Sequence, residues 1–193
     1  MDGGARFLQI RAKSISGGEF LDLASRIRDL AHAAGAILVV NDRADIAHLS
    51  GADGVHVGQD DLAPSAARLI VGADAIVGFS THTEAQIDAA TTQPISYLAV
   101  GPVFGTVTKD TGHAPVGLER VRYAAAAIGR RSSHEGGRWL GVVAIGGITL
   151  DRAAEVIKAG ATAVAVISDL IATGDPEARV RAYLARLAEV SHV

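Results

Sequence analysis

The residues best suited to chemistry in this chain sit in short polar runs, each following an apolar run. Gln9-Ile10-Arg11-Ala12-Lys13 carries an amide and two cations at alternate positions. In an extended strand, alternation puts Gln9, Arg11 and Lys13 on one side and Leu8 and Ile10 on the other. Arg offers a planar fork and Lys a point charge, so the set suits a phosphorylated ligand. A solvated strand end is the plainer reading. Val40-Asn41-Asp42-Arg43 ends with a carboxylate just past an apolar run. That carboxylate suits a cation, or an Asx turn or N-cap ahead of a helix near Asp45. Gly58-Gln59-Asp60-Asp61 repeats the pattern. Mg²⁺ is typically held by one or two carboxylates plus phosphate oxygens. Asp42 and Asp61 beside Arg11 and Lys13 therefore make sense around a metal-bound polyphosphate. His56 alternates with Val55 and Val57 and reads as a packed, hydrogen-bonded interior residue rather than a metal ligand.

Further along, Ser80-Thr81-His82-Thr83 offers hydroxyls that could donate to phosphate or cap the next helix. Gly101-Pro102-Val103-Phe104-Gly105-Thr106-Val107-Thr108-Lys109 puts two hydroxyls and a Lys on a Gly-containing loop, outside any Walker pattern. Ile145-Gly146-Gly147-Ile148 and Val166-Ile167-Ser168-Asp169 close the series. Gly146-Gly147 would let backbone N–H groups approach an anion closely, or simply make a tight turn. Gly129–Arg138, with Arg130, Arg131 and Arg138, reads as a solvated loop before a strand starting at Trp139-Leu140.

These runs need elements to position them. Candidate strands are Phe7–Arg11, Ile37–Asn41, Gly54–Val57, Ile76–Ser80, Tyr97–Val100, Gly141–Ile145 and Ala163–Ile167. Several are nearly continuous apolar runs, as in parallel strands buried on both faces. Between them lie helical patterns. Phe20, Leu21, Ala24, Ile27, Ala31 and Ala34 share one helical face, ahead of a stop at Gly35. Asp151–Ala159 reads as a helix before Gly160, and Asp175-Pro176 as an N-cap and first position of a helix to about Ala188. Repeated strand–helix units predict parallel strands with right-handed crossovers. No G-x-G-x-x-G follows the first strand, and polar residues recur at nearly every strand end. Both features favour a TIM (β/α)8-type barrel over an open doubly wound sheet. In such barrels the loops after strands seven and eight often hold phosphate. The count is seven strands, so the first βα unit of an eight-stranded barrel is lacking.

At 193 residues the chain fits one domain, read as a single N-terminally short barrel over 1–193. Hydrophobic residues make up 49% and charged residues 20%, an ordinary globular balance. The net charge of −3 gives no electrostatic case for a nucleic-acid partner. Cysteine is absent, which removes disulfides, thiolate metal sites and a Cys nucleophile. No run reaches the ~18 apolar residues of a membrane span, and Met-Asp-Gly-Gly-Ala-Arg lacks signal-peptide order. The expectation is a cytoplasmic protein.

In this order, the segments resemble the thiamine-phosphate synthase family. The carrying motifs are Gln9–Lys13, Val40-Asn41-Asp42, His56–Asp61, Ser80–Thr83, Gly101–Phe104 with Thr106–Lys109, Ile145–Ile148 and Val166-Ile167-Ser168, and they span nearly the whole chain. The resemblance implies a transferase that joins hydroxymethylpyrimidine diphosphate to hydroxyethylthiazole phosphate, giving thiamine phosphate and pyrophosphate. It implies that Gln9, Arg11, Lys13, Asn41, Ser80 and Lys109 bind the pyrimidine diphosphate. Asp42 and Asp61 would bind Mg²⁺, and Thr106, Thr108, Gly147, Ile167 and Ser168 the thiazole phosphate. Arg11, Lys13 and Lys109 would carry the charge stabilisation in catalysis. The implied chemistry is dissociative, with no covalent enzyme intermediate.

The family normally carries a further strand and helix before Gly3-Gly4-Ala5. A missed upstream start and a genuine truncation both account for the difference. An open barrel exposes strand edges, which invite association, so a homo-oligomer is an expectation in the second case. Two other functions fit less of the inventory. One is a thiazole tautomerase-like enzyme with His82 as base and no need of Mg²⁺. The other is an inactive barrel that binds a phosphorylated ligand.

Overall fold

The computed structural model of the chain describes residues 1–105, 114–129 and 141–190. Its elements are β1 (Phe7–Ile10), α1 (Gly17–Ala33), β2 (Ile37–Asn41), α2 (Ala44–Ser50), β3 (Gly54–Val57), α3 (Pro64–Val71), β4 (Ile76–Thr81) and α4 (Glu84–Ala90). They continue with β5 (Tyr97–Val100), α5 (Gly117–Gly129), β6 (Gly141–Ile145), α6 (Leu150–Lys158), β7 (Ala163–Ala165), α7 (Ser168–Ile171) and α8 (Pro176–Ala188). The seven strands form one sheet in strictly sequential order. Sequential order without a reversal is the barrel pattern, not the doubly wound one. The fold class is a parallel (β/α) barrel, with seven strands among the described residues, one short of eight.

The described residues divide into two compact units. Unit 1 comprises Met1, Ala5–Ser80 and Gln93–Ser96. Its strands pair in parallel, with Phe7↔Ile37 to Ile10↔Val40, then Asn41↔His56, then Val57↔Phe79. Leu38, Val39, Val40, Val55, Val57 and Val77 are almost wholly buried. Burying each such side chain contributes about 1.5–3 kcal/mol. Helix α1 starts where Ser16 and Glu19 form a reciprocal capping box. Its buried stripe is Phe20, Ala24 and Ala31. Leu8 and Ile10 of β1 pack against the cluster of Ala31, Ala36 and Leu38, which leaves Gln9 on the opposite, exposed side.

Unit 2 comprises Asp2–Gly4, Thr81–Thr92 and Tyr97–Val193. Here β5, β6 and β7 pair in parallel, from Tyr97↔Gly141 to Val100↔Ala144 and from Val143↔Ala163 to Ile145↔Ala165. Leu98, Val100, Val103, Val121, Ala124, Ala144, Ala153 and Val156 form the core. Asp175 Oδ1 accepts from the Ala178 N–H at 2.9 Å, so the Asp-Pro start of α8 is a true cap.

Two strands are shorter than the sequence predicts. β1 stops at Ile10, where its ladder to β2 runs out. Arg11 and Lys13 are therefore carried by the following segment, not by strand alternation. β7 stops at Ala165, because Ile167 (φ −126°, ψ −74°) leaves the extended region and opens α7. Residues 130–138 of the Arg-containing stretch, and Trp139-Leu140, lie outside the described residues.

Candidate active site

In unit 1 the chain reverses just after β2. The Arg43 N–H donates to the Asn41 carbonyl at 2.8 Å across Asp42, whose φ is +66°. This is a γ-turn of the rarer, positive-φ kind. A non-glycine residue held so costs ~1–3 kcal/mol, and such residues cluster at functional sites. The Asp42 N–H donates to the His56 carbonyl at 2.8 Å, which ties the turn to β3. Asp42 caps nothing, since Arg43 occupies the N-cap position of α2 without a side-chain bond. Of the two sequence readings of Asp42, the helix cap is thus set aside.

The turn aims Asp42 at two partners. Lys13 Nζ lies 3.3 Å from Asp42 Oδ2. The Asp61 carboxylate lies close enough to Asp42 to act on its charge. Asp61 is itself held, accepting from the Gly58 N–H at 2.8 Å. Burial pushes the Asp42 carboxyl above the usual carboxylate range, and neighbouring Asp61 pushes the same way. The Lys13 ammonium opposes them. Asp42, just past β2, and Asp61, in the turn after β3, bring carboxylate oxygens of the kind a hard divalent cation takes.

His56 is 7% exposed, and its Nε2 lies 2.8 Å from Ser80 Oγ. It is the interior, hydrogen-bonded residue the alternation predicts. Gln59 Nε2 donates to the Ser80 carbonyl at 2.6 Å. The Ser80 hydroxyl and carbonyl are thus both engaged from β3 and the segment after it. Sequence reading missed this role of Gln59, because one amide in a polar loop carries no signal of its target. Asn41 is buried at the end of β2, and Arg11 is exposed beyond β1. Unit 1 therefore gathers Lys13, Asp42 and Asp61, and separately fixes Ser80.

In unit 2, Thr81 is fully buried and its Oγ1 donates to the Ala99 carbonyl at 3.0 Å. It neither faces a ligand nor caps a helix. The cap of α4 is Thr83, in a capping box with Gln86. His82 Nδ1 lies 2.5 Å from the Gly101 carbonyl, which can only accept, so that nitrogen carries the proton. This suits a structural role for His82.

The loops after β5 and β6 are laced together. The N–H groups of Val103 and Phe104 donate to the carbonyls of Ile145 and Gly146 at 2.9 and 3.0 Å. Gly147 has φ +64°, and a Cβ there would lie 2.4 Å from the Gly105 carbonyl oxygen. Only glycine fits that approach. The Arg152 guanidinium sits 4.6 Å above the Phe104 ring, adding a cation–π contact to the same junction. Ile167 is 57% exposed beside Ser168, at the opening of α7. Gly147, Ile167 and Ser168 thus stand on segments that follow β6 and β7. Thr106, Thr108 and Lys109 lie outside the described residues.

No helix among the described residues is long and apolar enough to cross a membrane.

Comparison with known proteins identifies the family. The family model for thiamine monophosphate synthase matches residues 1–170. The thiamine-phosphate synthase of Arthrobacter sp. (strain FB24) is 41% identical, over 96% of this chain and 84% of that protein. That of Koribacter versatilis (strain Ellin345) is 44% identical, over 94% of this chain and 80% of its own length. Among solved structures, thiamine phosphate pyrophosphorylase from Pyrococcus furiosus superposes with a TM-score of 0.84 at 31% identity, covering 98% of this chain and 86% of that one. A match of this breadth, over both units, means that the chain belongs to the thiamine monophosphate synthase family.

Proposed function

We infer that the chain is a thiamine-phosphate synthase, a transferase acting on small phosphorylated substrates. It joins hydroxymethylpyrimidine diphosphate to hydroxyethylthiazole phosphate and releases pyrophosphate. The observation that carries the reading is the Lys13–Asp42–Asp61 cluster on its strained turn. A tautomerase working through a single base has no use for that cluster.

In this reading Asp42 and Asp61 hold Mg²⁺, which when bound neutralises charge on the diphosphate. The rest follows from the chain's own residues. Gln9, Asn41 and Ser80 orient the pyrimidine diphosphate, with the Ser80 hydroxyl steadied by His56. Arg11, Lys13 and Lys109 stabilise the leaving pyrophosphate as its bond to the methylene carbon breaks. Gly147, Ile167 and Ser168, with Thr106 and Thr108, hold the thiazole phosphate so that the ring nitrogen can attack that carbon. Such a step depends on leaving-group stabilisation and orientation, not on a nucleophilic side chain. No covalent enzyme intermediate forms.

The test uses the chain as it stands. It is mixed with both substrates, with and without Mg²⁺, and thiamine phosphate is followed by mass spectrometry. Product that depends on Mg²⁺ is the expected result. Equal product in EDTA would remove the metal from the reading, and no product from folded protein would remove the activity.

A further inference from the structure

Outside the residues assigned so far, Asp169 is a densely bonded polar group among the described residues of unit 2. Its Oδ2 accepts from the Leu150 N–H at 3.2 Å, from Arg179 Nε at 3.0 Å and from the Tyr183 hydroxyl at 2.5 Å. Its Oδ1 accepts from Arg179 Nη2 at 3.0 Å. The Tyr183 oxygen also lies 3.3 Å from the Ile148 carbonyl oxygen, and Tyr183 is only 5% exposed. One carboxylate therefore joins three elements, the start of α6, the opening of α7, and α8, while Tyr183 also reaches the loop after β6 at Ile148. Gly147 lies in that loop, just ahead of α6, and Ser168 directly precedes Asp169.

We propose that Asp169, Arg179 and Tyr183 are positioning residues that hold Gly147 and Ser168 in register for the phosphate of the thiazole substrate. The proposal rests on the functional reading above. Charge gives the network a second task. A carboxylate one residue from Ser168 would repel a phosphate dianion. The Arg179 fork, bonded to both carboxylate oxygens, cancels that charge locally. Arg179 thus acts through Asp169, and its loss should hurt most while the carboxylate remains.

Three variants test this: Asp169→Asn, Arg179→Met and the double variant. Steady-state constants for each substrate are measured alongside hydrogen exchange. Arg179→Met should raise the KM for the thiazole phosphate about tenfold or more, with the KM for the pyrimidine diphosphate and kcat within about twofold. Adding Asp169→Asn should restore part of that loss, a rescue that a merely structural role would not produce. Exchange should quicken at residues 146–150 and 166–171 in both single variants and stay unchanged in unit 1. Unchanged exchange in those segments overturns the network. Equal rises in both KM values, or a double variant worse than Arg179→Met, overturn its role in thiazole-phosphate affinity. If the unaltered protein binds no thiazole phosphate by calorimetry, the functional reading fails and takes the ligand role with it. The exchange result still decides the network separately.

Discussion

At the scale of single residues, Asp42 and Gly147 are held by backbone conformation as much as by side-chain chemistry. Asp42 tolerates φ +66° because a short polar side chain suffers least there. Gly147 has no such latitude. Gly147→Ala must fit a Cβ within 2.4 Å of a carbonyl oxygen at φ +64°. The loop must move, and we expect the KM for thiazole phosphate to rise by at least about tenfold with a loss of ~1–3 kcal/mol in stability. Kinetics and thermal unfolding check this together. An alanine variant with unchanged KM would show that the loop has room the geometry denies it.

At the scale of elements, one guanidinium ties several segments of unit 1 together. Arg68 of α3 donates to the Pro94 carbonyl at 3.3 and 3.2 Å, to Ser96 Oγ at 3.2 Å, and to the carbonyls of Gly72, Ala73 and Ala75. It ties the end of α3 to the start of β4 and to the segment leading into β5. Arg68→Met leaves several of these acceptors unpaired. The expected loss is ~2–3 kcal/mol, a fall in Tm of roughly 5–10 °C. A change under about 1 °C would mean that water replaces the guanidinium at no cost.

In unit 2 the comparable element-scale tie is the Asp169 network, and it is sensitive to acid. Burial pushes the Asp169 carboxyl up, but the Tyr183 hydroxyl, the Arg179 fork and charge, and the Leu150 N–H together outweigh it and hold the carboxyl below its ordinary value. Burial and the Asp169 bond and charge raise the Tyr183 phenol, Arg179 opposes, and Asp151 adds to the rise. The phenol therefore stays protonated and donating. A carboxyl with a depressed folded value contributes stability fully above its unfolded pKa of about 3.9, and loses it as pH falls through the folded value. The Tm gap between the unaltered chain and Asp169→Asn should be steady from pH 7 to about 5 and shrink below about pH 4. A gap constant down to pH 3 would show that the carboxylate charge contributes nothing.

At the scale of the whole molecule, the residues proposed for the two ligands belong to different units. Lys13, Asp42, Asp61 and Ser80 belong to unit 1, while Gly147, Ile167 and Ser168 belong to unit 2. Asp61→Ala should therefore lower turnover by about two to three orders of magnitude. It should leave thiazole-phosphate affinity, measured by calorimetry, within about twofold. A parallel loss of that affinity would mean that the carboxylate supports both ligands. The chain covers about four fifths of its relatives' lengths, and the match runs through both units.

Much of this was legible in the sequence, because a buried parallel strand must be apolar and must end where its polar residues begin. The alternation of β-rich and Ala-rich segments, with polar residues after nearly every strand, therefore pointed to the barrel class and to the segments at or after the strands that carry Asn41, Asp42, Asp61, Ser80 and Gly147. Residue type pointed to the proposed chemistry, cations and carboxylates suited to a metal-bound diphosphate. Tertiary structure alone decided which groups touch. Lys13 reaches Asp42 by way of a γ-turn and a segment beyond β1, not by strand alternation. Thr81, by its type a candidate phosphate donor, is spent on the Ala99 carbonyl. Asp169, Arg179 and Tyr183 converge across a turn and a helix at spacings no local pattern marks. Periodicity reports which face of an element is buried. A contact between elements depends on where the chain turns, and that is set by packing the whole chain at once.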